Sequence, residues 1–270
     1  CLAFAVAVTR GGARPQACPH LDLAALPAGL GREAGPPPDQ ERQLAHQLRA
    51  KVVALDLAAL AAALGCRWDA GAAGLRFRYL GQEVLLGRAG LLLDGREPED
   101  PRDQILLCNY VAGGGAAAPR QDWVGMESLP SSISKIKTLR TYGEERLAEL
   151  FASLAAERLV VLAQALDGRP QDDPTATAAM IIPVLPRLPL LVLYWAPEPE
   201  EGFAARVKIL FDRRVLEVLD LESLVFAAER LADRVQALAA ASPPSEKAGA
   251  GHAAPEQRTW LGPAGRAPAP

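Results

Sequence analysis

Apolar residues recur along the chain with two different periods, and these periods predict where helices and strands lie. Between residues 41 and 64 the apolar side chains return every three or four positions, which predicts an amphipathic helix that stops at Gly65. Asp220 occupies the position of an N-cap before another such segment. Helical spacing is found in the further segments 102–112, 143–166 and 221–235.

A period of two predicts strands in the remaining apolar segments. Positions 75, 77 and 79 are apolar and alternate with Arg76 and Arg78, the pattern of a half-buried strand whose arginines face outward. Pro183 lacks an N–H donor, so its strand is expected at a sheet edge or with a bulge. Strands are predicted at 75–79, 83–86, 91–93, 123–129, 179–185, 190–195 and 206–211.

These elements predict an α+β fold in which a mainly antiparallel sheet packs against several amphipathic helices. Residues 27–40 are rich in glycine and proline, which is typical of a semi-rigid linker. From Ser242 onward Pro, Ala, Gly and Ser dominate, and such a segment buries too little apolar surface to become ordered. The body of the protein is therefore predicted at 41–240, followed by a disordered tail at 241–270.

The composition of the chain excludes some kinds of binding partner and cellular location. The formal net charge of -3 and the aromatic content of 5% argue against a protein that binds nucleic acid in bulk. The most apolar run, residues 180–195, contains Arg187 and three prolines and is too short to cross a membrane. The four cysteines form no disulfide framework, so a reducing, cytoplasmic location is expected.

Cys1 allows three interpretations: a lipid-modified cysteine, an N-terminal nucleophile, or a ligand of an iron–sulfur cluster. The apolar residues that follow it differ from the polar tether of a lipoprotein, and a lone N-terminal cysteine is weak support for a nucleophile. Cys18 is followed by Pro19, and cysteine followed by proline recurs at the end of cluster-binding runs. The cluster interpretation is therefore preferred.

Residues 1–21 resemble the second half of the small four-iron four-sulfur domain at the N-terminus of the large subunit of the corrinoid iron–sulfur protein. The family pattern is C-x2-C-x4-C-x16-C-P. Cys1 and the apolar residues 2–5 match its third ligand, and Cys18, Pro19 and His20 match its fourth. The resemblance implies a 4Fe-4S cluster held by Cys1, Cys18 and two cysteines expected upstream. Residues 1–26 are thus predicted to be a truncated cluster domain, with 27–40 as the linker.

The body resembles a domain family of unknown function found in anaerobic bacteria and archaea, sometimes attached to the same kind of cluster domain. The resemblance covers residues 41–238. It is carried by the segments 103–107, 132–135, 185–190 and 209–212, and by the pairs Asn109-Tyr110 and Tyr194-Trp195.

No catalytic constellation is found, so whether the chain is an enzyme stays open, and an enzyme acting on an anionic ligand is a third possibility that lacks a convincing acid, base or nucleophile. Hydrolase-elbow, dinucleotide-binding and P-loop motifs do not occur, and the three histidines have no metal-ligand spacing. Adjacent Asp172 and Asp173 point in different directions and have no third ligand. Cys66 and Cys108 are isolated and are expected to behave as small hydrophobes.

Two functions are therefore carried forward. The first is a cytoplasmic iron–sulfur protein that transfers electrons to a redox partner, with the resemblance implying corrinoid-linked, anaerobic one-carbon metabolism. The alternative is a non-redox module that binds a protein partner or an anionic small molecule. For the anion, hydroxyl and ammonium groups near a turn suggest a site at Ser132, Ser134, Lys135 and Lys137, although a solvated turn with capping serines explains the same residues.

Overall fold

The computed structural model describes residues 40–241 and contains two antiparallel sheets with helices packed against them. The predicted α+β class is confirmed. The helices are α1 (Gln40–Val53), α2 (Leu57–Leu60), α3 (Pro101–Ala112), α4 (Ile133–Leu139), α5 (Glu145–Ala152), α6 (Ala156–Ala165) and α7 (Leu221–Ala241). The strands are β1 (Arg67–Asp69), β2 (Gly74–Tyr79), β3 (Gln82–Gly87), β4 (Gly90–Leu93), β5 (Trp123–Gly125), β6 (Arg169–Pro170), β7 (Ala178–Leu185), β8 (Leu188–Trp195) and β9 (Arg206–Asp212).

The first sheet is an antiparallel meander in the order β1-β2-β3-β4, and β2, β3 and β4 lie at the predicted positions 75–79, 83–86 and 91–93. The apolar residues of β2 at positions 75, 77 and 79 are buried, while Arg78 is exposed and Arg76 half-buried on the other face. Arg76 forms ion pairs with Asp69 and Glu83. Strand β1 was not predicted because its three residues are too few to show a period.

The second sheet has the order β5-β9-β8-β7-β6 and carries most of the apolar core. Strand β6 pairs with β7 only at Met180 and Ile181, so Pro183 has no ladder partner on that side. The pairing of β7 with β8 also shifts register between Pro183 and Leu185. Both features are those expected for a strand that contains proline. A hydrogen bond of 3.2 Å from the Leu80 N–H to the Val184 carbonyl connects the two sheets.

The helix predicted over 41–64 is wrong as a single element. Helix α1 ends at Val53, and Asp56 starts α2 by accepting the Ala59 N–H at 3.1 Å. An aspartate that caps a new helix competes with continuation of the old one. Leu44, one of the recurring apolar residues of this segment, is 44% exposed, because α1 instead turns Ala45 inward.

The helix predicted over 143–166 is also interrupted. Helix α5 stops at Ala152, where the Ser153 hydroxyl donates to the Leu150 carbonyl at 2.7 Å, and α6 begins after an extended Ala155. A hydroxyl that binds the preceding turn weakens a helix at that point. Upstream, α4 joins α5 through a π-helical turn, Arg140–Glu144, so helix begins well before the predicted start.

Helix α7 forms where it was predicted. Its N-cap is Asp220, whose Oδ1 accepts the Ser223 N–H at 2.8 Å. Its inner face buries Leu224, Ala228, Leu231 and Val235 in the main core. The predicted cluster domain, linker and tail lie outside the described residues, apart from Gln40 and Ala241, which belong to α1 and α7.

Candidate functional site

The residues predicted to bind an anion do not share one surface. Ser132 is 2% exposed, and the Lys135 ammonium forms an ion pair with Glu222 of α7. Ser134 and Lys137 are exposed and lie three residues apart on α4, so the structure brings only these two together. The turn predicted here is the start of α4, and anion binding stays a prediction.

The two cysteines among the described residues are poor candidates for metal ligands. Burial raises the pKa of the Cys66 thiol to about 12 and that of Cys108 to about 11, although arginines nearby oppose the shift. A thiol with a raised pKa stays protonated, whereas metals bind the thiolate. Within residues 40–241 no group of three His, Cys, Asp or Glu side chains could hold a metal ion. Cys1 and Cys18 lie outside these residues.

A polar network at the centre of the fold connects α7 with β2 and α3. Arg230 donates two hydrogen bonds of 2.8 Å to Asp103, one of 2.9 Å to Asp100 and one of 2.6 Å to Asp233. The Tyr79 hydroxyl donates to Asp103 at 2.7 Å. Burial and the neighbouring Asp103 carboxylate raise the pKa of Tyr79 well above its usual value. Every member is paired, so the network holds elements together and leaves little capacity for a ligand.

Other residues of the predicted family segments also build the fold. Arg187, in the tight turn between β7 and β8, donates to the carbonyls of Ala63 and Ala62 at 3.2 and 3.1 Å and so closes the end of the helical segment before Gly65. Its backbone N–H donates to the Tyr110 hydroxyl at 3.1 Å. These residues are therefore structural in the described part of the chain.

The π-helical turn Arg140–Glu144 is an unusual feature of the fold, and a groove lies beside it. One extra residue in such a turn displaces the following side chains, and π-turns frequently lie at functional sites. Here the turn places Glu144, which is 7% exposed, against β9, where its Oε1 accepts the Ile209 N–H at 3.1 Å. Gly143 allows the close approach, because an added Cβ would lie 3.1 Å from the Ala228 Cβ. The Lys208 ammonium lies 3.5 Å from Glu144.

Strand β9 is only partly covered by its neighbours. Strand β5 pairs with positions 210–212 of β9 and then ends, while β8 pairs with β9 along its other side. Because successive residues of a strand direct their N–H groups to opposite sides, Val207 points the same way as Ile209. Glu144 takes the Ile209 N–H, and no described residue pairs with Val207 on that side. The first part of β9 therefore has an unpaired sheet edge on this side, where Val207 is 4% exposed and lines the space between β9 and α5.

A groove of about 740 Å³ runs between this edge and α5. We call it the β9 groove. Its helical wall carries Glu145 and Glu149, and its strand wall carries Arg206, whose guanidinium carbon lies 4.1 Å from the centre of the Trp195 ring. The stacked arginine and the opposed carboxylates give the two walls opposite charge. Ala148 lines the groove between them and leaves room for an occupant.

Sequence reasoning missed this groove. The helical stripe predicted from residue 143 onward includes Glu144 without distinguishing it, because a π-turn has no simple sequence signal. Arg206 was recognised only as the start of a strand. The unpaired edge follows from the length of β5, which pairs with three residues of β9.

The fold and the groove define a class: a two-sheet α+β domain without a metal site in residues 40–241, with an open strand edge facing a helix. Residues 56–234 match the family described as Domain of unknown function (DUF3786), and the chain belongs to that family. The predicted family resemblance of the body is thereby confirmed. No curated protein and no solved structure matches the chain significantly. No helix within residues 40–241 combines the length and apolar character that a membrane crossing requires.

Proposed function

We propose that this domain is a docking module that binds an extended segment of a partner protein in the β9 groove. The observation that supports it is the unpaired edge of β9 at Val207 beside a groove with oppositely charged walls. An extended segment that adds to an exposed edge gains main-chain hydrogen bonds from the edge and specificity from the side chains around it.

The geometry limits the length of the segment. Glu144 already occupies the Ile209 N–H, so the added strand pairs with Val207 and, by the same alternation, with Ala205. Beyond Ile209 the edge belongs to β5. The partner therefore contributes a short strand, and we expect a basic residue opposite Glu145 and Glu149, because unlike charges face each other across specific interfaces.

A peptide library tests this docking function. Peptides of about ten residues selected for binding to the domain are expected to protect the Val207 amide from hydrogen exchange. Ala205→Pro removes one donor from the open edge without touching the β8 ladder, and Pro is tolerated at the start of an edge strand. One lost hydrogen bond lowers affinity by roughly threefold to tenfold.

Charge reversal supplies the matched comparison. Glu149→Lys is expected to weaken the selected basic peptides, while Asp172→Lys, an exposed position outside the groove, leaves them unchanged. Docking in the β9 groove would be contradicted if the selected peptides bound wild type, Ala205→Pro and Glu149→Lys equally. It would also be contradicted if the peptides protected amides elsewhere in the domain.

A second proposal concerns residues 1–26 and rests on Cys1 and Cys18-Pro19 alone. We propose that these thiolates serve a 4Fe-4S cluster, since such clusters are held by four cysteine thiolates. On this proposal the protein is a cytoplasmic electron carrier of anaerobic metabolism. Its redox partner docks in the β9 groove, and the resemblance suggests that this partner is a corrinoid protein. The thiols of Cys66 and Cys108 fit poorly as ligands, because Cys66 is half-buried, Cys108 is buried, and burial raises the pKa of both.

Anaerobic reconstitution of the natural protein tests the cluster. We expect about four irons per chain, sulfur-to-iron charge-transfer bands in the visible absorption spectrum, and an EPR signal after reduction. Cys18→Ser should strongly decrease all three. Cys108→Ser is the control and should leave the iron content unchanged. Iron content that is independent of Cys18 would refute the assignment without affecting the docking proposal.

A further inference from the structure

A second cavity, separate from the β9 groove, lies beneath α6. It has a volume of about 340 Å³ and lies between α6 and the core-facing side of β7 and β8. We call it the α6 cavity. Its wall contains Leu159 and Ala163 from the helix, and Ala178, Met180 and Tyr194 from the strands. Its lining includes the exposed residues Glu157, Gln164 and Thr177, so the α6 cavity opens to solvent beside the core.

Small side chains create the space. Ala163 of α6 and Ala178 of β7 both line it with side chains of a single methyl group. Gly168, at the end of the helix, cannot fill the gap, since an added Cβ would lie 2.8 Å from the Ala163 carbonyl oxygen. Ala155, the N-cap residue of α6, supplies no side-chain cap, so the first turn of α6 lacks this stabilising contact.

Tyr194 on the wall is 5% exposed, and its hydroxyl makes no hydrogen bond with the described residues. Its ring is held at 5.5 Å from Phe151 in an edge-to-face contact. The hydroxyl keeps some accessible surface, because the one fully buried side-chain polar atom without a partner in residues 40–241 is Arg234 Nε, and it is therefore available to a ligand. Burial raises the pKa of Tyr194, which keeps its hydroxyl a neutral donor at physiological pH.

The charge of the wall selects among ligands. Neither Lys, Arg nor His contributes to the lining of the cavity, and the one ionisable carboxylate is Glu157 of α6. A buried anion without a cation costs free energy through lost hydration, and a nearby carboxylate adds to that cost. The cavity is therefore unsuited to the anionic ligand that the sequence suggested for the body.

We propose that the α6 cavity binds a neutral, apolar small molecule whose single hydrogen-bond acceptor is held by the Tyr194 hydroxyl. An apolar space of about 150 Å³ accommodates benzene, so one roughly twice as large has room for a fused two-ring compound. Ligand sites typically combine an apolar wall with a few polar groups that orient the ligand, which is the arrangement found here. This inference goes beyond partner docking and does not depend on it.

Three related probes test the proposal by calorimetry. We expect 2-acetylnaphthalene, which is neutral and has a carbonyl acceptor, to bind more tightly than 2-ethylnaphthalene, which has no acceptor. The anionic 2-naphthoate should bind weakest. Tyr194→Phe should lower the affinity for the acetyl compound by roughly threefold to tenfold and leave the ethyl compound unchanged, because only the hydrogen bond is removed.

A filling substitution tests the location. Ala163→Phe should abolish binding of both neutral probes, whereas Val161→Phe on the exposed side of the same helix should not, since Val161 is 49% exposed. Circular dichroism establishes whether Ala163→Phe is folded, and if it is not, the Tyr194→Phe comparison decides alone. Any of three results would overturn the proposal: the neutral probes do not bind the wild-type protein, Tyr194→Phe weakens both neutral probes equally, or 2-naphthoate binds most tightly.

Discussion

Removing the guanidinium of Arg230 should destabilise the domain more than any exposed ion pair. Its side chain is 16% exposed and that of Asp103 is 8% exposed. In Arg230→Met the Asp103 carboxylate keeps only the Tyr79 hydroxyl as a partner. Breaking a buried ion pair by removing one member costs about 3–5 kcal/mol, because the remaining charge stays buried without compensation.

Urea unfolding followed by circular dichroism measures this loss. With a denaturant slope of about 2 kcal/mol per molar, the unfolding midpoint of Arg230→Met should fall by about 1.5–2.5 M. Adding Asp103→Asn removes the uncompensated charge, so the double variant should be more stable than Arg230→Met alone. As a control, Arg213→Met removes the pair with Asp122, in which both side chains are more than half exposed, and should barely move the midpoint.

A midpoint for Arg230→Met within about 0.5 M of wild type would contradict the expected cost, because a buried pair should shift it much further. A double variant that loses the sum of the two single effects would contradict it as well. Additivity would mean that Asp103 and Arg230 do not interact, despite the two 2.8 Å hydrogen bonds between them.

Three further outcomes are expected. Gly81→Ala should fail to accumulate as folded protein, because the added Cβ would lie 2.0 Å from the Ala165 carbonyl oxygen. Gly95 has a similar φ but open space around it, so Gly95→Ala should lower the free energy of unfolding by only about 1–2 kcal/mol, measured by thermal or urea unfolding. The free energy of unfolding should fall as pH rises above 9, because the Cys108 thiol of the unfolded chain loses its proton at its ordinary pKa while the folded thiol retains it until about pH 11. Cys108→Ala should therefore flatten the plot of urea midpoint against pH. An unchanged slope would contradict this. Ala155→Asp should raise the stability by about 1 kcal/mol by supplying the missing cap of α6, and no gain in melting temperature would show that the cap is not limiting.

Much of the fold could be predicted because it depends on local periodicity. The alternation around Arg76 and Arg78 located β2, and Asp220 marked the start of α7, since capping and pleating act between residues close in sequence. The bulge near Pro183 followed from the missing donor of proline. The helix breaks near Asp56 and Ser153 were missed, because side-chain hydrogen bonds to the backbone override an apolar stripe.

The sequence by itself determined the class of the fold, the positions of most strands and the family resemblance of the body. It also supplied the only observations on the cluster, Cys1 and Cys18. Only the tertiary structure decided which polar residues are already engaged: Lys135 is paired with Glu222, and Asp103 with Arg230, 127 positions away. The open edge at Val207 and the α6 cavity were likewise decided there, because an unpaired edge or an empty volume depends on where distant elements end and how closely they pack.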